Sequence, residues 1–251
     1  RSKTFVEIKG GTNNPMAPAV EYLQEVLLPA VSKMGYEGSI ELLRRGFYPR
    51  GQGIVRAVVE PIKALKPIMI EKFGEIEEIK GLSYSSRLPA HIVERMARSA
   101  EKVLAEAGYK NVKIDLEALQ VNDRRCAANP GCGIILFAKS KEDAILGADS
   151  LGELGKPAEK VGAEAAKGLL KQLAAEAPVD RYLADQIIIY MSLAHGRSAI
   201  RTSELTLHAL TCILLSEKMV SARFKIEGEE GRPSTICLLY TSPSPRDRTR
   251  S

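Results

Sequence analysis

The chain has 251 residues, 45% of them hydrophobic, and a formal net charge of +5, enough apolar material for one large core or two ordinary ones and too much for a largely disordered protein. No run approaches the roughly 20 apolar residues of a membrane span, and the opening RSKTFVEIKGG has no apolar signal-peptide core, so a soluble, cytoplasmic protein without a membrane partner is expected. The basic balance favours a polyanionic partner such as RNA or a nucleotide, although part of it belongs to the tail TSPSPRDRTRS, where Arg246, Arg248 and Arg250 outweigh Asp247.

In chain order, Thr4 to Ile8 alternates as a strand, a Gly-Gly-Thr-Asn-Asn-Pro turn follows, and helical periodicity runs from about Ala17 to Met34, closed by Gly35. SIELLRRGFYPRGQGIVRAVVEPI reads as two strands around a Pro-Arg-Gly turn. Near Gly81 the texture changes. SRLPAHIVERMARSAEKVLAEAGY is a helix ending at Gly108, NVKIDLEAL and GCGIILFAKS are strands, and a long helix starts beside Pro157. After Pro178 come a helix in VDRYLADQIIIYMSLAHG, a strand in SAIRTS, a helix in ELTLHALTCILLSEKM and a hairpin to about Leu238. An α/β (α+β) chain follows, in which 82–177 is a small inserted α/β domain and 1–81 with 178–240 form a larger one. The tail, 241–251, is all turn formers and charges, is expected to be disordered, and resembles translated vector or adaptor sequence.

Few residues ask for chemistry. Tyr182, Asp185 and Gln186 stand at i, i+3 and i+4, so one helix face could receive a purine and ribose; the same spacing also fits a solvated first helical turn. His208 lies in the first turn or so of its helix if Thr202 or Ser203 is the N-cap. The positive end of a helix attracts phosphate and favours a neutral imidazole, which is a competent nucleophile for phosphorus; a merely packed or half-exposed histidine is the other reading. The turns GGTNN and YPRGQG, the latter with Arg50, could approach a phosphate, but neither has P-loop spacing. In HIVER, His91, Glu94 and Arg95 share a face where Glu and Arg could form a surface pair, and His195 is a turn residue. The cysteines at 126, 132, 212 and 237 include no CxxC pair and read as reduced small hydrophobes.

Taken in order, GGTNNPMAPAVEYL, YPRGQG, HIVER, LGELGKPAEKVG, YLADQ and TLHALT resemble the RNA 3′-terminal phosphate cyclase family, from the first residues to about Leu238. The resemblance implies repeated units of a four-stranded sheet plus two helices, similar to the translation initiation factor 3 C-terminal domain, with a small domain inserted. It implies ATP-dependent closure of an RNA 3′-phosphate to a 2′,3′-cyclic phosphate. In that scheme His208 is the nucleophile that carries AMP, Tyr182, Asp185 and Gln186 contact the nucleotide, Pro18 and Tyr22 line its adenine side, and Arg50 is a phosphate contact. ATP with a divalent cation, magnesium foremost, and an RNA with a 3′-phosphate end are the expected partners; the metal ligands and the oligomeric state stay open. Family members begin about one repeat earlier, which suggests a truncated start and a chain that could be an inactive fragment. A non-catalytic cyclase-like ribosome-biogenesis factor is the alternative, and the presence of His208 argues against it. An enolpyruvyl transferase with the same repeat is a third reading that no residue here requests.

Overall fold

A computed structural model describes residues 2–220 and 222–241. The expected disordered tail lies almost wholly outside these residues. Strand β1 (Thr4–Gly10) precedes a helical stretch made of α1 (Val20–Tyr22), a π-helical segment (Leu23–Leu27) and α2 (Leu28–Ser32). Gly35 ends this stretch at φ +83°, a left-handed position that glycine adopts without a Cβ clash. Strands β2 (Gly38–Arg44) and β3 (Gly53–Val59) complete an antiparallel sheet of order β1-β3-β2.

Next come β4 (Met69–Ile70), β5 (Ile76–Ser86), α3 (His91–Glu106), β6 (Val112–Leu119), β7 (Gly131–Ser140), β8 (Ile145–Leu151) and α4 (Ala158–Ala174). Then follow α5 (Arg181–Leu193), β9 (Ser198–Thr202), α6 (Leu207–Val220), β10 (Ala222–Glu227) and β11 (Ser234–Thr241). These strands form two four-stranded sheets, β6-β5-β7-β8 and β10-β11-β9-β4. Each joins one parallel pair, β5 with β6 and β4 with β9, to an antiparallel hairpin. The orders differ: numbered within each sheet, the first runs 2-1-3-4 and the second 1-2-4-3. The mixed α+β architecture is therefore built from similar parts connected in two ways. Strand β5 starts at Ile76, ahead of the change of texture near Gly81.

Two cores result. One face of the sheet β6-β5-β7-β8 packs against α3 and α4, where Val93, Met96, Ala100 and Leu104 form the buried stripe of α3. Gly162 lets the two helices approach closely, because a Cβ there would meet the backbone carbonyl of Met96. The second core gathers Tyr22, Val26, Val31 and Met34 with Ile187, Met191, Ile200 and Ile236. Tyr84, Ile135 and Phe137, from β5 and β7, belong to it as well, so the sheet β6-β5-β7-β8 is covered on both faces. A fully buried Arg45 reinforces this junction: it lies 2.5 Å from Glu21 and 2.6 Å from Glu117 of β6, with its guanidinium 4.0 Å from the Tyr84 ring centroid. Among the described residues no helix is long and apolar enough to cross a membrane.

Candidate active site

The site is organised by one buried carboxylate. Asp180 is the N-cap of α5, and its Oδ1 accepts from the backbone N–H groups of Tyr182 and Leu183, both at 2.9 Å. The same oxygen accepts the Tyr22 hydroxyl at 2.5 Å, and Oδ2 accepts the Gly147 N–H of β8 at 2.8 Å. Burial pushes the Asp180 carboxyl up, and these donors oppose the shift. Tyr22, itself buried, has its hydroxyl held well above the ordinary tyrosine range, first by burial and then by the charge of Asp180. Gly147 is needed in β8 because a Cβ there would stand 2.6 Å from the Tyr22 ring.

Of the two expected adenine-side residues, the structure buries Tyr22 and leaves Pro18 half-buried at the entrance to α1. Tyr22 supports a wall from behind: its ring meets Tyr182 edge-on, centroids 5.9 Å apart. Tyr182 is half-buried and has the Arg181 guanidinium 5.3 Å from its ring centroid. Next to Pro18, the Ala19 N–H donates to the carboxyl of Asp149, which burial raises to about 6. Sequence reasoning passed over Asp180, Gly147 and Asp149; the first was readable as an N-cap before YLADQ.

Asp185 and Gln186 follow on the same helix, both half-buried. Burial raises the Asp185 carboxyl to about 6, and His208 pulls it in the opposite direction, which places the imidazole within electrostatic reach. His208 is exposed, at the second position of α6. The expected cap is corrected here: Thr206 Oγ1 accepts from Ala209 N at 3.1 Å. Thr202 is instead bonded to Glu204, and the Ser203 hydroxyl to Gln172. Asp180, Tyr182, Asp185 and His208 thus lie in one neighbourhood. Arg50 stands apart on the β2–β3 turn, exposed and without an ion pair among the described residues. Arg95 and Glu94 do not pair with each other; Arg95 takes Glu159 at 2.7 Å and Glu94 takes Arg98.

Alongside Tyr182 opens a cleft of about 850 Å³, with Asn13 to Ala17 on one rim and Glu153 to Pro157 on the other. Of the residues expected from sequence to hold the nucleotide, Tyr182 alone lines it. Among the described residues no group of three or more His, Cys, Asp or Glu side chains could hold a metal ion.

Residues 1–226 match the model of the family described as RNA 3′-terminal phosphate cyclase. Proteins of that name are similar to this chain: that of Methanothermobacter thermautotrophicus is 47% identical over 93% of the chain and 66% of its own length. That of Thermococcus gammatolerans is 40% identical over 93% and 65%, and that of Methanopyrus kandleri 38% identical over 92% and 65%. The chain thus spans about two thirds of the length of these relatives. With a match of this extent, and with Tyr182, Asp185 and His208 gathered in one place, the chain belongs to the RNA 3′-terminal phosphate cyclase family.

Proposed function

We propose that the chain carries the adenylylation site of an RNA 3′-phosphate cyclase, which uses ATP to convert an RNA 3′-phosphate into a 2′,3′-cyclic phosphate. His208 attacks the α-phosphorus of ATP, an N–P bond forms, the bond to the β-phosphate oxygen breaks, and pyrophosphate leaves. An oxygen of the RNA 3′-phosphate then attacks that phosphorus, breaking the N–P bond and giving an RNA–pp–A end. The neighbouring 2′-OH attacks the RNA phosphorus, loses its proton and expels AMP. Dividing the activation in this way gives the poor phosphate leaving group an AMP handle.

The observation that carries this reading is an exposed imidazole at a helix N-terminus, with Asp185 beside it and the Tyr182 wall on the neighbouring helix. The residues suit a purine nucleotide. Tyr182 offers a ring, and the Gln186 side-chain oxygen is buried without a hydrogen-bond partner, an acceptor that an adenine amino group would satisfy. Pro18 would close the other side, and Arg50 would serve a phosphate only from the neighbouring turn. Magnesium accompanying ATP would take its ligands mainly from phosphate oxygens and water. We also read the sheet β10-β11-β9-β4 with α5 and α6 as one of the family's repeats.

The test is incubation with magnesium and α-labelled ATP, followed by a search for acid-labile covalent label. The chain is expected to take up label and His208→Ala to lose it completely while keeping its circular dichroism spectrum. Equal labelling of the variant removes His208 from the chemistry.

A further inference from the structure

Arg45, directly after β2, is among the largest side chains that are fully buried, and it belongs to no part of the chemistry described above. Its Nε donates to Glu117 Oε1 of β6 at 2.6 Å, its Nη2 lies 2.5 Å from Glu21 Oε1 of α1, and its guanidinium stands 4.0 Å from the Tyr84 ring centroid of β5. Glu117 is held on its other side by Arg125, 2.6 Å away, whose carbonyl accepts the Arg45 N–H at 3.0 Å. Glu21 has no second support of that kind. Arg45 is its one ion-pair partner among the described residues, and neither of its buried carboxylate oxygens accepts a hydrogen bond. A buried ionic network with unsatisfied atoms commonly adds less stability than apolar packing of the same volume. What it supplies is a fixed geometry.

We propose that Arg45 is a positioning residue: by gripping Glu21 it fixes the rotation of α1, and with it the Tyr22 ring against which Tyr182 stands. The proposal rests on the nucleotide reading for the use of that wall and on the buried network for the way it is held.

Glu21 and Tyr22 are consecutive residues of one helical turn, so their side chains leave the axis about 100° apart. Each ends at a different buried anchor, Glu21 at Arg45 and Tyr22 at Asp180, to which its hydroxyl donates at 2.5 Å. One anchor would leave α1 free to roll about it, whereas two directions of pull fix the roll. The backbone of α1 does little to fix it. The helix is three residues long, has no side-chain bond at its N-cap, and passes straight into the π-helical segment Leu23–Leu27, where the regular ladder is broken. A roll of α1 would carry the Tyr22 ring, which meets Tyr182 edge-on at 5.9 Å, and so tilt the face that Tyr182 offers to a purine.

The experiment compares the chain with Glu21→Gln, with Arg45→Lys and, as a control for lost stability alone, with Val93→Ala in the other core. The readings are thermal melting, hydrogen exchange of the peptide covering residues 17–28, and label uptake over a range of ATP concentrations with magnesium. Glu21→Gln keeps the shape and removes the charge that Arg45 grips; Arg45→Lys keeps the charge and removes the planar fork that reaches two carboxylates. In both, exchange of residues 17–28 is expected to speed several-fold. The ATP concentration for half-maximal label is expected to rise about tenfold, in the range of one lost base–aromatic stack, with the limiting label rate on His208 within about twofold. Val93→Ala should lower the melting temperature and change neither of the other readings. If Arg45→Lys does not fold, Glu21→Gln carries the test, because Arg45 then keeps Glu117. Unchanged exchange and unchanged ATP dependence in the variants, or equal changes in Val93→Ala, would overturn the proposal. The nucleotide reading fails separately: a chain that takes no label from ATP, with exchange faster in the two network variants and not in Val93→Ala, removes that reading and leaves the tether of α1 standing.

Discussion

The N-termini of α5 and α6 both supply residues of the candidate site, and they are finished in opposite ways. At α5 the cap is a fully buried carboxylate that commits both oxygens to donors from the π-bearing helical stretch, from β8 and from α5 itself. At α6 the cap is a single threonine hydroxyl, and the histidine two residues later stands in solvent. On the proposed reading Tyr182 is a stacking wall, which works only if its plane is fixed, and His208 would attack one phosphate and release AMP to another, which needs access. The first end is built for rigidity and the second for exposure.

The largest way to break that contrast is Asp180→Ala, which leaves the Tyr22 hydroxyl and three backbone N–H groups without their acceptor. A stability loss of about 3 kcal/mol or more is expected by urea unfolding, because each orphaned buried donor costs about 1–3 kcal/mol. A loss below about 1 kcal/mol would mean that the carboxylate is not the organising group. At the other helix, Thr206→Ala removes only a cap on an exposed turn and should cost about 1 kcal/mol in the same assay. If the two substitutions cost the same, the asymmetry between the helix ends is wrong.

A separate effect is one of pH. The carboxyls of Asp149 and Asp185 are raised to about 6, above the roughly 3.9 of an unfolded aspartate. In that interval the folded state binds more protons than the unfolded one, so stability is fully present below about pH 4 and these groups lower it as pH rises through about 6. Denaturant melts between pH 4 and pH 7 should show that decline, and Asp149→Asn should make it shallower. An unaltered slope in the variant would assign the pH dependence elsewhere.

Much of this arrangement was legible in the sequence because the signals were local. The periodic helices α3 and α4, the capped and apolar α5, and the alternating β1 and β10 follow from residue spacing within single windows. What stayed hidden was set at a distance. ILGADSL has no assignment from its own spacing, yet it is the strand β8; its glycine answers the Tyr22 ring and its aspartate the Ala19 N–H, both more than a hundred residues earlier. Strand β4 is two residues long, too short for any pattern, and exists because β9 pairs with it. Tyr22 read as a ligand-facing aromatic, and only the buried acceptor at Asp180 shows why it turns inward. The cap of α6 was placed too early because Thr202 and Ser203 are also good caps in isolation; their hydroxyls are taken by Glu204 and Gln172.

The most direct test of the account is peptide mass spectrometry of the chain after incubation with magnesium and ATP, under alkaline conditions that preserve a phosphorus–nitrogen bond. The account predicts an AMP adduct on His208 and on no residue of α5. An adduct on a lysine, or on His91 or His195, would contradict it and would leave the exposed end of α6 without the role assigned to it.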